Sequence, residues 1–276
     1  MKTLFKILSI GLFISFAYSC NSDDPDVIIN NLKEGQIEIK VSPDGGNKVS
    51  FSAAVANITI DWGDGSIEEF TPNGTTKEFT HSYADKKLRT ITIDTELMTQ
   101  FDLDLGYYEE LRFGDSPELN GFACSNRNLT VLSIKKAPAL TWLYCADNQL
   151  KSLDVSGCTA LKELYCGDNQ LKTLNVSRCT VLEDLGCSGN QLTSLNISKC
   201  LLLTELYCSN NQLTSLDVSK CSMLNILVCS NNKLTKLDVS MCIWLTDLQC
   251  YINQLTSLDI SRCAGLIRLG DRKSVV

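Results

Sequence analysis

Histidine is nearly absent from this chain of 276 residues: His81 is the only one. With no CxxC pair to join it, the sequence lacks the ligand spacing of a zinc site. It also lacks a glycine-rich phosphate loop, a catalytic triad and any paired acid and base at regular spacing, so no catalytic residue, metal ligand or cofactor is expected. Excess positive charge is missing too. The formal net charge is −7, and it becomes −9 if the N-terminal segment leaves with its two lysines, Lys2 and Lys6. A phosphate backbone is a poor partner for such a chain, so nucleic acid is excluded. The apolar run from Ile7 to Ala17 is too short to span a bilayer comfortably.

What is present is a globular composition, 44% hydrophobic and 21% charged, and a repeat. One sentence of 21 residues recurs six times from Leu140 to Cys263; its second copy reads LKELYCGDNQLKTLNVSRCTV. In all six copies Leu fills positions 1, 4, 11 and 14, Cys positions 6 and 19, Asn position 9 and Ser position 17. A unit of this length has room for a short strand and turns but not for an ordinary helix. The expected fold class is therefore mainly β, a small immunoglobulin-like β-sandwich followed by a solenoid with little α-helix.

Within each copy, LxxLxCxxNxL resembles the leucine-rich repeat, and the 21-residue period with its cysteine ladder resembles the repeats of internalin J-type surface adhesins. Two copies ahead of the regular six are degraded: residues 119–139 have Arg127 where Asn is expected, and residues 98–118 keep only Phe101, Leu103, Leu111 and Phe113. They read as caps. The solenoid is expected over residues 97–276, with degenerate capping repeats at 98–139, regular repeats at 140–265 and a truncated copy at 266–276. That last copy ends in DRKSVV, residues that a string resembling a common sequencing-library adapter would encode, so the true gene is expected to continue.

Thirteen of the 14 cysteines stand in two repeat columns. As free thiols they fill the core as small hydrophobes. Cα spacing between stacked strands also permits disulfides, although parallel side chains give a poor dihedral. The asparagine column, Asn148 to Asn253, is expected to satisfy backbone groups of neighbouring coils, and Ser156 and its equivalents to do a similar turn job.

Cys20, the one cysteine outside the ladder, follows AYS at the end of the apolar run. Residues 1–19 have the anatomy of a cleaved export signal, and the cut resembles a bacterial lipobox. The resemblance implies lipidation of Cys20 and a membrane anchor without a spanning helix; simple secretion is the alternative. The acidic tether at residues 20–35 begins NSDDPD and resembles the surface-export signal of Bacteroidetes lipoproteins, which implies the outer membrane, lipid-anchored and surface-exposed.

Residues 36–96 alternate short β-rich runs (QIEIKV, KVSFSAAV, ITIDW, KEFTHSY, RTITID) with turn clusters. IDWGDGS at residues 60–66 and THSY at residues 80–83 resemble the polycystic-kidney-disease-like β-sandwich. Trp62 is expected to plug its core, and Asp61, Gly63, Asp64 and Gly65 to form a tight turn; calcium binding by Asp61 and Asp64 is the alternative. The resemblance makes His81 structural and the domain a spacer.

Function is left to positions 3 and 5, which alternate outward onto the concave face. The candidate ligand-binding residues are Trp142, Tyr144, Glu163, Tyr165, Asp184, Glu205, Tyr207 and Asp247. Aromatic rings among carboxylates, almost without lysine, compose a protein-binding patch. An ordinary strand-favouring surface is the plain alternative, and a glycan stacked on Trp142, Tyr144, Tyr165 and Tyr207 is the other candidate partner.

Overall fold

The computed structural model describes residues 32–43, 46–71, 75–134 and 136–270, which form 17 β-strands with no α-helix among them. The export segment, Cys20, the tether up to residue 31 and the closing residues 271–276 lie outside the described residues.

Period-two alternation builds the first part. β1 (Gln36–Val41), β6 (Arg89–Thr95), β3 (Ile58–Asp61), β4 (Ile67–Phe70) and β8 (Tyr108–Phe113) pair antiparallel in the order β8-β1-β6-β3-β4. β2 (Lys48–Val55) lies antiparallel between β5 (Thr76–Ser82) and β7 (Met98–Leu105). The inward residues of the two sheets meet in one core: Phe51 stacks on Phe79 and Phe101, and its ring centroid lies 5.8 Å from that of Trp62. Trp62, just past β3, is fully buried. β4 was not among the sequence's β-rich runs, because IEEF has no buried stripe of its own and is ordered by pairing with β3 at the sheet edge.

The 21-residue period becomes the register of a parallel stack. β9 (Gly121–Ala123), β11 (Trp142–Tyr144), β12 (Glu163–Tyr165), β13 (Asp184–Gly186), β14 (Glu205–Tyr207), β15 (Ile226–Val228), β16 (Asp247–Gln249) and β17 (Arg268–Gly270) pair in chain order, each residue opposite the one 21 places on. Position 4 (Leu143, Leu164, Leu185 and onward) and position 6 (Cys145, Cys166, Cys187 and onward) point into the stack and are shut off from solvent. On the other side, β10 (Val131–Ser133) and a bridge between Asn175 and Asn196 are the described strand elements, and Leu153 and Val155 are buried. The turn there works differently from expectation. The residue at position 15 supplies the side-chain acceptor: Asp154 Oδ1 accepts from the backbone N–H of Ser156 at 2.9 Å, and Asn175, Asn196, Asp217, Asp238 and Asp259 do the same for their serines. Serine contributes its N–H and, beside Asp217 and Asp238, a hydroxyl that holds the carboxyl below the usual range.

The two parts share both sheets. β7 pairs antiparallel with β2 on one edge and parallel with β9 on the other, where Phe101 faces Phe122; β8 likewise lies between β1 and β10, where Leu111 faces Leu132. Residues 98–118 are at once two sandwich strands and one coil of the stack, with the 21-residue offset intact. The apolar core consequently runs unbroken from Ile37 to Cys263, and the sandwich covers the first coil, whose core layer would otherwise face water.

Candidate functional site

The outward face can present side chains only if the coils beneath it are fixed, and the asparagine column fixes them. Asn190 Oδ1 accepts from the backbone N–H of Leu171 at 2.9 Å, and its Nδ2 donates to the carbonyls of Cys166, Cys187 and Ser188 at 3.0, 3.2 and 3.3 Å. The same pattern recurs at Asn169, Asn211 and Asn232. Each amide ties its own turn to the preceding coil where backbone groups are buried away from water. Arg127, at the same position of the degenerate copy, takes over that role: its Nε donates to the carbonyl of Leu103 at 2.8 Å, 24 residues back as for Asn190 and Cys166. One position earlier the chain turns through left-handed backbone at Asp147, Asp168, Gly189, Asn210, Asn231 and Ile252. Asp, Asn and Gly tolerate that region, whereas isoleucine there is strained.

On this frame all eight candidate residues stand on β11–β14 and β16, facing outward and half-buried by their neighbours. Trp142 and Tyr144 contact at 5.0 Å between centroids, and Tyr144 meets Tyr165 edge-on at 5.4 Å. The Tyr144 hydroxyl donates to Glu163, whose carboxylate pushes the phenol up to about 12. Burial pushes the Tyr207 phenol up, and the hydrogen bond its hydroxyl donates to Glu205 at 2.8 Å raises it further. Asp184 accepts from the Thr204 hydroxyl at 2.9 Å; its carboxyl is pushed up by burial and then by Glu205, Glu163 and Glu183. Among the described residues no cation comes within ion-pair distance of Glu163, Asp184 or Glu205: Lys162 is spent on Glu183 at 2.9 Å, and Arg268 reaches Asp247 at 3.8 Å.

The sequence pattern missed one feature of this face. Glycine at position 5 of the third copy, Gly186, leaves a gap between Tyr165 and Tyr207, and the gap is a recess of about 300 Å³ lined also by Ala146, Gly167 and Ser188. The last three occupy position 7, where the strand has ended and a small residue opens the rim. The signal was readable: every other regular copy carries a larger residue at position 5. The recess needs the absent side chain, since a Cβ on Gly186 would come within 2.5 Å of the Tyr165 ring.

The ladder cysteines stay out of this chemistry. All thirteen are buried, and among the described residues none is joined in a disulfide. Burial pushes thiols up, to about 12 at Cys158 and Cys166 and about 11 at Cys179, Cys200 and Cys221, so these five supply no thiolate nucleophile near neutral pH. In the sandwich, Asp61 and Asp64 accept from the backbone N–H groups of Gly63 and Ser66 at 2.9 and 3.1 Å, the expected turn. Gly63 adopts φ 76° with Thr90 O where a Cβ would lie. His81, which has no partner nearby in sequence, stacks on Trp62 at 4.8 Å and meets Asp64 Oδ2 at 2.8 Å. Among the described residues no group of three or more His, Cys, Asp or Glu side chains is placed to hold a metal.

Residues 138–179 match the leucine-rich repeat family (Leucine Rich repeats, 2 copies). The fold is a leucine-rich repeat solenoid. An internalin (inlF) from Listeria monocytogenes is 19% identical with a TM-score of 0.51, over 58% of this chain and 57% of that one. The functional domain of InlJ from the same organism, which includes a cysteine ladder, is 31% identical over 54% of this chain and 43% of that one, with a TM-score of 0.36. YopM from Yersinia enterocolitica is 24% identical over 58% of this chain and 37% of that one, with a TM-score of 0.47. The chain thus spans less than two thirds of each of these proteins. No curated protein sequence matches it. Leucine-rich repeat solenoids are typically scaffolds for protein binding rather than enzymes.

Proposed function

We propose that this protein is a surface-displayed binding protein whose concave leucine-rich repeat face captures a protein ligand. The observation that carries the reading is the row of outward residues on β11–β14. It sets aromatic rings and carboxylates that lack a salt-bridge partner among the described residues on a frame whose register is fixed by the asparagine column. Contact area on rigid rings costs little entropy, and the acidic residues select for a basic patch on the partner. The basic side chains Lys151, Lys172, Lys199, Lys220 and Lys236 are exposed outside this row, which leaves the outward positions of β11–β14 without a basic residue.

In the same proposal the acyl chains on Cys20 hold the protein at the outer membrane, and the sandwich serves as a polycystic-kidney-disease-like spacer. Because the sandwich shares both sheets with the solenoid, it would present the face at a fixed angle rather than on a hinge. Adhesion to a host or neighbouring cell is the role such an arrangement serves. Turnover needs no part in it, and no cofactor is required.

The test is capture of partner proteins by the mature chain, residues 20–276, compared with a variant carrying Glu163→Lys and Glu205→Lys. Loss of capture with an unchanged circular dichroism spectrum supports the face; undiminished capture removes it. A glycan array run beside the capture separates the alternative partner. The contact between Trp142, Tyr144 and Tyr165, tilted and edge-on, gives a sugar no common flat platform.

A further inference from the structure

We infer that the recess above Gly186 is the seat of one arginine side chain from the partner. This rests on the reading of the concave face as a protein-binding surface and names what that surface selects. Tyr165 and Tyr207 stand two coils apart, roughly 10 Å along the stack at the usual strand spacing, and Gly186 between them leaves a floor without a side chain. Tyr165 leans over that floor, since its ring occupies the place of a Cβ on Gly186. The recess is walled by the Tyr165 and Tyr207 rings, against which a flat group can stack.

Charge decides which flat group. Glu163, Asp184 and Glu205 are neighbours in register on β12, β13 and β14, and like charges in register repel. No cation among the described residues is within ion-pair distance of any of the three. Asp184 stands on the same strand as Gly186, two residues away on the outward side, so a positive group between the rings would sit close to its carboxylate. The aromatic faces carry the negative side of the ring quadrupole and attract the same group. A phosphate, sulfate or carboxylate is repelled by all of these features, and a neutral apolar side chain would leave the carboxylates unpaired. Between the two common cations, guanidinium is planar, stacks on rings and sheds its hydration more readily than ammonium. Arginine can therefore fill the recess while its outer N–H groups reach Asp184 or a neighbouring glutamate.

Two labelled peptides of the same Gly/Ser sequence, one carrying three arginines and the other three lysines, test this by fluorescence anisotropy against the full chain. The arginine peptide is expected to bind at least about fivefold more tightly. Gly186→Val, which displaces the Tyr165 wall of the recess without changing charge, should weaken it at least about tenfold, and Asp184→Asn should weaken it with no packing change. Asp217→Asn with Asp238→Asn removes two charges far from the recess and should leave binding unaltered. Equal affinity for the two peptides, or wild-type binding by both Gly186→Val and Asp184→Asn, overturns the inference. If the arginine peptide fails while Glu163→Lys with Glu205→Lys still abolishes partner capture, only the arginine seat falls. If the peptide binds the recess but capture ignores the face, the inference holds and the proposed function falls.

Discussion

Replacing Asn190 by alanine is the sharpest probe of what holds the coils in register. The side chain is 8% exposed and makes one bond as acceptor and three as donor. Its loss does not orphan the carbonyls of Cys166 and Cys187, because Asn169 and Asn211 also donate to them at 3.2 and 3.0 Å. The N–H of buried Leu171 has no such reserve. An unsatisfied buried donor costs about 1–3 kcal/mol, and the shared bonds lost beside it contribute about 0.5–1.5 kcal/mol each. The expected destabilisation is therefore about 3 kcal/mol, against about 0 for Gln191→Ala on the exposed neighbour. Asn190→Asp keeps the acceptor but turns an anion toward three carbonyl oxygens, so its folded-state pKa lies above the unfolded carboxylate value. Its penalty is full at neutral pH and shrinks as pH falls through that raised value, where protonation restores one donor. Urea unfolding followed by circular dichroism measures all three variants. A change below about 0.5 kcal/mol for Asn190→Ala would refute the claim that the amide column bears the coil register.

Mass spectrometry after iodoacetamide treatment should find the thirteen ladder cysteines unmodified in the native protein and modified in urea, because all are buried and burial pushes up thiols such as those of Cys166 and Cys187; labelling of Cys166 or Cys187 under native conditions would contradict this. Ile252→Asn relieves left-handed strain at φ 53° on a residue that is 60% exposed, and should raise stability by about 1 kcal/mol. A melting temperature no higher than wild type would count against that strain. Asp64 is held well below the usual carboxylate range by the Ser66 hydroxyl and by His81. Its depressed pKa gives stability that is present above the unfolded value of about 3.9 and lost as pH falls below it. Asp64→Asn should accordingly make acid unfolding shallower below about pH 4, and an unchanged slope would show that the Ser66 and His81 contacts together contribute nothing.

The 21-residue period made the solenoid legible, since a strict repeat of Leu, Cys and Asn can only stack like on like. Inward and outward positions of each strand followed from period-two geometry, which is why Trp142, Glu163 and Tyr207 all stand on one face. The left-handed column was visible as Asp, Asp, Gly, Asn and Asn, but Ile252 broke the pattern that would have revealed it. Arg127 looked like a lost consensus residue because sequence shows residue type, whereas its guanidinium makes the same 24-residue reach as the asparagine amide. The sharing of sheets by sandwich and solenoid lay in long-range pairing between β2 and β7 and between β1 and β8, for which no local pattern exists. The Tyr165–Tyr207 recess depended on a missing side chain, which a search for chemical groups passes over.

The central claim, that the concave face is where this protein meets its partner, is tested most directly by site-specific photocrosslinking. A benzophenone amino acid is placed at Tyr207 on the face or at Lys220 on an exposed corner of the next turn. The account predicts covalent capture of one partner from Tyr207 and none from Lys220. Equal capture from both positions, or capture from Lys220 alone, would contradict it.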